Sequence, residues 1–275
     1  MFARRVQTWL VFIFVLVIPY PVYAGVPSDK DQTGEAASVE RVGTPADEQE
    51  EFPEVKPISD PLEPWNRLIF FFNDRIYFAL AKPVAQGYGL IVPEWGRVRV
   101  RNVFDNLRTP VKFVSSLFQG KMKSAGNELI RLFLNTTLGM GGMFDVANYN
   151  LQIKSSDEDI GLALGHYGIG EGFFIVWPFL GPSSARDSVG IAGDFFLYPV
   201  SYITPFEDWL AIRSYQFEND VSLRIGEYED LTESSLDPYV AMKDAYSEYR
   251  RSKVKEGAGE ISGAVPSSDS GWPGR

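Results

Sequence analysis

Three sets of residues in this 275-residue chain could do chemistry. His166, the only histidine, occurs with Ser183 and Asp187, the residue types of a hydrolytic triad. The context does not match: Gly181-Pro182-Ser183-Ser184-Ala185 lacks the final glycine of a nucleophile elbow, and a lone His beside Tyr in a glycine loop reads more simply as structural. Asp157, Glu158 and Asp159 are of the type that works as acid and base or holds a hard cation, although a solvated loop is the simpler reading. The third set is basic. Arg97, Arg99, Arg101, Arg108, Lys112, Lys121, Lys123 and Arg131 share a stretch with only Asp105 and Glu128, in a chain of formal charge −10.

Other chemistry is excluded or unsupported. With no cysteine there is no disulfide, thiolate metal site or cysteine nucleophile. The glycines at 165–172 read G-x-x-G-x-G-x-G rather than the dinucleotide fingerprint, and Gly120-Lys121 lacks the upstream glycine of a phosphate loop. The acidic balance disfavours a nucleic-acid partner. No catalytic residue, metal or cofactor is expected, and the chain is not expected to be an enzyme.

The elements that must position the basic stretch are helical. Asp60-Pro61-Leu62-Glu63 carries an N-cap acid, a proline in the first turn and a capping-box glutamate. This predicts a helix running to about Lys82, where Pro83 disfavours helical geometry in the residue before it. Its polar residues form a narrow stripe, so the rest of its surface must meet core or lipid, and Trp65, Leu68, Ile69, Phe72 and Ile76 are expected to face outward toward a membrane. Further amphipathic segments are expected around Val98–Leu107, Val111–Phe118 and Leu129–Leu134, with Thr204-Pro205-Phe206-Glu207 and Asp237-Pro238 opening two more. Phe173 to Leu180 reads as a buried strand or an apolar loop, Pro178 counting against the strand. Basic apolar helices suit a membrane interface; an ordinary bundle with a solvated basic face fits the same residues.

The organisation predicted is in four parts. Arg4 and Arg5, the apolar run Trp9–Ile18 and Val22-Tyr23-Ala24 form a secretory signal peptide over residues 1–24, its core too short to span a bilayer. Residues 25–59 read as a flexible acidic linker, 60–255 as a helical domain and 256–275 as a disordered tail.

Several strings then resemble the MlaA/VacJ family of outer-membrane phospholipid transport proteins. They include Asp60, Pro61, Asn66 and Arg67; Asn73; Pro83; Asn135, Thr136, Gly139, Gly142 and Asp145; Gly165, Gly168 and Gly170; and Gly181, Pro182, Ser183, Arg186 and Asp187. The resemblance covers about residues 60 to 250. It implies a mainly α, ring-like bundle of amphipathic helices with glycine-rich loops, embedded in or on a membrane leaflet on the periplasmic side of the outer membrane. It also implies a polar passage by which phospholipids leave the outer leaflet, and no enzymatic activity. The partners implied are phospholipid, a trimeric porin-like protein and a soluble periplasmic carrier of the MlaC type. A porin-associated structural protein without transport is the alternative. Many members carry a lipidated Cys after the signal peptide; here Ala24-Gly25 stands at that junction, so anchoring on cysteine is impossible.

For a lipid phosphate, Arg97, Arg99 and Arg101 point to different sides of a helix, whereas Arg101, Arg108 and Lys112, spaced 7 and 4 apart, would share a face on a continuous one. These three are the expected headgroup contacts, bases along the membrane rim being the simpler reading. If Val22-Tyr23-Ala24 is cleaved by the ordinary signal peptidase, the mature protein begins at Gly25 with a free amine. Intact-mass measurement of the exported protein checks this, and an uncleaved or acylated terminus contradicts it.

Overall fold

The computed structural model describes residues 57–262, with side chains as far as residue 257. The signal segment, most of the acidic linker and the end of the tail lie outside the described residues. The body begins slightly earlier than expected: Ile58 is buried, and the Ser59 carbonyl accepts a hydrogen bond from Phe174 N at 2.8 Å.

The chain is mainly α, with one two-stranded hairpin. Helix α1 spans Glu63–Ile76. The Asp60 carboxylate does not cap it as the capping-box pattern suggests. It accepts instead from Asn66 Nδ2 (2.8 Å), the Tyr239 hydroxyl and Lys243 Nζ (3.4 Å). Nor does Pro83 end the segment. A π-helical turn at Tyr77–Ala81 leads straight into α2, Lys82–Ile91, with Pro83 in its first turn. The Lys82 N–H bonds back to the Tyr77 carbonyl, five residues earlier. This wider turn is what lets a proline follow without ending the helix.

Next come α3 (Glu94–Leu107) and α4 (Thr109–Phe118), broken at Arg108 just ahead of Pro110, then α5 (Met122–Thr137). Short helices α6 (Val146–Leu151) and α7 (Ile160–His166) start at aspartates whose carboxylates accept from backbone N–H groups, Asp145 from Asn148 and Asp159 from Leu162. Strands β1 (Phe174–Trp177) and β2 (Gly181–Ser184) pair antiparallel, Phe174 opposite Ser184 and Trp177 opposite Gly181. Pro178 therefore sits in the turn between them and not inside a strand. Helix α8 (Ala185–Leu197) is capped by Ser184. After a 3-10 turn at Pro199–Tyr202 come α9 (Phe206–Leu223), α10 (Glu227–Ser234) and α11 (Pro238–Ser262). Helix α9 begins after Pro205 with no side-chain cap, whereas Asp237 accepts from the Tyr239 and Val240 N–H groups as expected of its motif. Helix α11 continues past Lys255 into the stretch expected to be tail.

Contacts between these elements form a closed circuit: α1, the π turn, α2, α9, α3, α5, α4, α7, α11, β2, β1 and back to α1. Its seam is the cluster Ile58, Ile69, Phe174, Val176, Tyr239, Met242 and Tyr246, where the first helix, the hairpin and the last helix meet. Asn66, fully buried, secures that seam: Nδ2 donates to the Phe174 carbonyl (3.0 Å) and Oδ1 accepts from Val176 N (2.9 Å). Its amide thus serves as one more partner for β1, meeting a carbonyl and an N–H on the strand's open edge. Arg67 joins the same ends through Asp237 (2.9 Å). At the α7/α8 crossing a Cβ on Gly190 would lie 2.5 Å from the Gly161 nitrogen, so only glycine lets the two backbones touch.

A buried ion network ties α7, α8 and α11 together. Arg250 donates from Nε to Asp187 (2.8 Å) and from Nη1 and Nη2 to Asp159 (2.6 and 2.9 Å); Arg186 and the Tyr246 hydroxyl also donate to Asp187 (2.8 and 2.5 Å). Burial opposes ionisation of Asp187, yet Arg250 and Arg186 outweigh it and hold its carboxyl down at about 2. Removing one partner of a buried pair leaves the others charged and unmatched. Asp187→Ala should therefore lower the unfolding free energy by about 3–5 kcal/mol, while Lys253→Gln, in a more exposed pair with Asp157, costs less than about 1 kcal/mol. Urea melts of the two variants check the contrast.

Candidate functional site

Many charged residues are buried while many large apolar side chains are exposed. Trp65, Leu68 and Phe71 on α1, Leu90, Ile91 and Trp95 at the α2/α3 join, and Phe118, Met122, Leu129, Ile130, Phe133, Leu138 and Met140 around α4 and α5 are all exposed. Among the described residues no helix is long and apolar enough to cross a membrane. Of the α1 residues expected to face outward, Trp65 and Leu68 are 52% and 58% exposed and Phe72 lies partly against Phe179, whereas Ile69 is buried in the seam and Ile76 packs toward Phe217. The apolar girth of α1 thus serves core on one side and the exterior on the other.

The basic stretch divides into structural pairs and interior charges. Lys112 is buried and paired with Asp105, also donating to Ser155 (2.7 Å); Lys121 pairs with Glu158; Arg131 bonds Asp145 (3.1 Å) and the Ile153 carbonyl (2.6 Å). Arg97 donates to the Ser222 carbonyl, and Arg99 lies 4.2 Å over the Phe144 ring. Because the helix breaks at Arg108, Arg101 on α3 and Lys112 on α4 do not occupy one continuous face; Arg101 is exposed and Lys112 is enclosed. Arg108 stands at the join, its charge acting on Asp105, Asp194 and Asp220. Burial works against the Asp105 carboxylate, but Lys112, Arg108 and Arg131 prevail and hold it below the usual range.

The acids considered for catalysis are committed elsewhere. Asp157, Glu158 and Asp159 each pair with a base, Lys253, Lys121 and Arg250. Ser183 Oγ is bonded to Ser188 Oγ (3.2 Å) and the Ser184 carbonyl (3.3 Å), and Asp187 belongs to the Arg250 network. His166 packs edge-on to Tyr167. The hydrogen bonds among the described residues do not assemble the triad types, and no group of three or more His, Asp or Glu there is placed to hold a metal.

A cleft of about 960 Å3, open to solvent, lies between α1, the π turn, the hairpin, α9 and α10. Phe70, Ile76, Val176, Phe179, Phe217 and Val221 give it an apolar wall, with Asp220, Arg224 and Glu227 also lining it. Asn73 fixes its rim, donating to the Trp177 carbonyl (3.0 Å) and accepting from Phe179 N (2.9 Å) at the hairpin turn, where Phe179 has φ 63°. Burial pushes Asp220 up to about 6, against Arg224, Arg101, Arg108 and Arg213. Burial and the Asp159 charge push Asp194 up to about 7. Burial alone pushes Glu218 up to about 8, and its Oε2 has no partner among the described residues.

These acids were not identified from sequence. The one signal for the pair on α9 was the placement of Glu218 and Asp220 between Phe217 and Val221, with Arg224 just past the end of the helix. The other motif residues are scaffold. Asn135 bridges Asp145 (3.0 Å) and Ala147 N (3.0 Å), Thr136 accepts from Asn106 (3.0 Å), and at Gly142, φ 97°, a Cβ would strike Asn106.

Glu218 gives a pH signature. Folded, it keeps a proton through neutral pH that the unfolded chain releases near 4.3. Its contribution is complete at low pH and is lost as pH rises toward about 8. Glu218→Gln should therefore gain stability over the parent between pH 5 and 8, reaching about 1–3 kcal/mol, the cost of a buried unmet polar group. Thermal melts across that range check it.

Comparison with known proteins agrees with this architecture. The chain is 32% identical over 209 residues to the Escherichia coli K12 intermembrane phospholipid transport system lipoprotein MlaA, covering 74% of this chain and 80% of that one. It is 31% identical over 201 residues to an uncharacterised protein of Rickettsia prowazekii, covering 72% and 79%. A solved structure described as the structural basis for maintenance of bacterial outer membrane lipid asymmetry superposes with a TM-score of 0.63 at 30% identity, covering 71% of this chain and 99% of that one. The MlaA lipoprotein family model matches residues 58–253, and the chain belongs to that family.

Proposed function

We propose that this protein moves phospholipid at the outer membrane. It lies in the periplasmic leaflet, takes up phospholipids mislocalised to the outer leaflet and passes them to a soluble periplasmic carrier, so that the membrane keeps its lipid asymmetry. The observation that carries this is the inverted distribution of polarity: a closed circuit of helices with large apolar side chains exposed and arginines and carboxylates buried. A protein in water hides such rings; one bathed in acyl chains exposes them and turns its charges toward an aqueous lumen. The buried hydroxyls of Ser115, Ser116, Ser156 and Ser214 have no partner among the described residues, as fits groups served by water. With no described helix able to cross a bilayer, residence in one leaflet is the matching placement.

In this reading Arg101 and Arg108 meet the lipid phosphate by charge-assisted hydrogen bonds. Lys112 acts behind them, fixing Asp105. The apolar exterior supplies the surface for a trimeric porin-like partner and holds the body in the leaflet.

A deletion strain should accumulate phospholipid in the outer leaflet, and the parent gene should reverse it. The double variant Arg101→Gln, Arg108→Gln should stay membrane-associated but restore transport about tenfold less well, the scale of a charged hydrogen bond. Unchanged outer-leaflet lipid on deletion leaves the alternative, a porin-associated structural protein.

A further inference from the structure

The cleft beside α9 holds charges of both signs against an apolar wall. Most of its neutral polar groups are already used: the Asn73 amide on the hairpin backbone, the Tyr77 hydroxyl on Glu229 and the Tyr228 hydroxyl on Asp74 (2.9 Å). Its charged lining residues are Asp220, Arg224 and Glu227, two acids and one base. Among the described residues no hydrogen bond or ion pair reaches the Asp220 carboxylate, although Arg224, Arg101, Arg108 and Arg213 all act on it through space. With its carboxyl held at about 6, Asp220 is ionised at neutral pH. A carboxylate that is partly desolvated yet has no donor of its own is costly unless something cationic comes to it.

Ligands differ in what they bring to this arrangement. An acyl chain suits the wall of Phe70, Ile76, Phe179, Phe217 and Val221. A phosphate suits the surrounding arginines. A headgroup that carries only negative charge would meet the Asp220 and Glu227 carboxylates with nothing to offer them. A headgroup with an amine satisfies both signs at once.

We propose that the cleft selects a zwitterionic phospholipid, one acyl chain lying along its apolar wall, the phosphate toward the arginines around Asp220, and the cationic amine on the Asp220 carboxylate with Glu227 as a second acceptor at the mouth. This rests on the reading of the protein as a phospholipid transporter and adds to it the class of headgroup.

The test uses the full mature protein, equilibrated with vesicles of equal parts phosphatidylethanolamine and phosphatidylglycerol of identical acyl chains, followed by repurification and quantification of bound lipid. The parent should enrich the ethanolamine lipid by about threefold or more over the vesicle ratio, the scale of one half-exposed ion pair. Asp220→Asn should bring the bound ratio to that of the vesicles while total lipid per protein is maintained. Glu227→Gln, at an exposed helix start where folding is not at stake, should reduce the enrichment in part. Lipid bound by the parent in the vesicle ratio, or enrichment untouched in both variants, overturns the headgroup selection and leaves transport standing. No lipid bound by the parent overturns both.

Discussion

The structure depends on a buried salt network that closes a circuit. Asp187 and Asp159 receive three hydrogen bonds between them from Arg250; Arg186 and the Tyr246 hydroxyl each contribute another, and the charges so matched lie at the crossing of α7, α8 and α11. The other side of the seam is held by Asn66 on β1 and by Asp60 and Arg67 on α11. Buried ion pairs are seldom the most economical way to stabilise a fold, because desolvation consumes most of the Coulombic gain. Here they have a geometric role. Three helices are fixed in one mutual orientation by directional bonds. That orientation holds open the cleft between α1, the π turn, the hairpin, α9 and α10.

Burial away from bulk water decides what the remaining charges do. The Arg108 charge acts on three carboxylates, Asp105, Asp194 and Asp220. Proton affinities raised at Asp194, Asp220 and Glu218 follow from the same cause, burial away from bulk water without a matching cation at contact distance. The exterior is the converse. Leu90, Ile91 and Trp95 would be a liability in water and are ordinary in contact with acyl chains.

Much of this was legible in the sequence wherever the determining physics is local. Prolines and short polar residues announced the starts of α1, α9 and α11, and apolar spacing announced α3 to α5. Rules about one residue failed where the backbone had another solution, as when a π turn carried the chain past Pro83 and the hairpin put Pro178 in its bend. Asp60 was read as a helix cap because its partners, Tyr239 and Lys243, lie at the far end of the chain. For the same reason Arg101, Arg108 and Lys112 were placed on one face: the spacing rule assumes an unbroken helix, and the turn at Arg108 breaks it. Glu218, Asp220 and Arg224 escaped notice since an acid or base on an amphipathic helix looks solvated until the elements around it are known.

The joining of the first and last helices has a consequence for how the protein comes to be. Arg67 and Asp237 are 170 residues apart, and Tyr239 and Asp60 are 179 apart. Until α11 exists, β1 and α1 have no cover for Phe174, Val176 and Ile69, and the carboxylates of Asp159 and Asp187 have no Arg250. A chain entering the periplasm from its N-terminus therefore cannot mature by accretion. Most of it must wait, with sticky surface open, for its final segment, and the entropy of closing so long a loop falls on one docking event. Biogenesis and quality control converge on that helix: a chain truncated before it would keep most of its secondary structure and lack the step that makes it a ring.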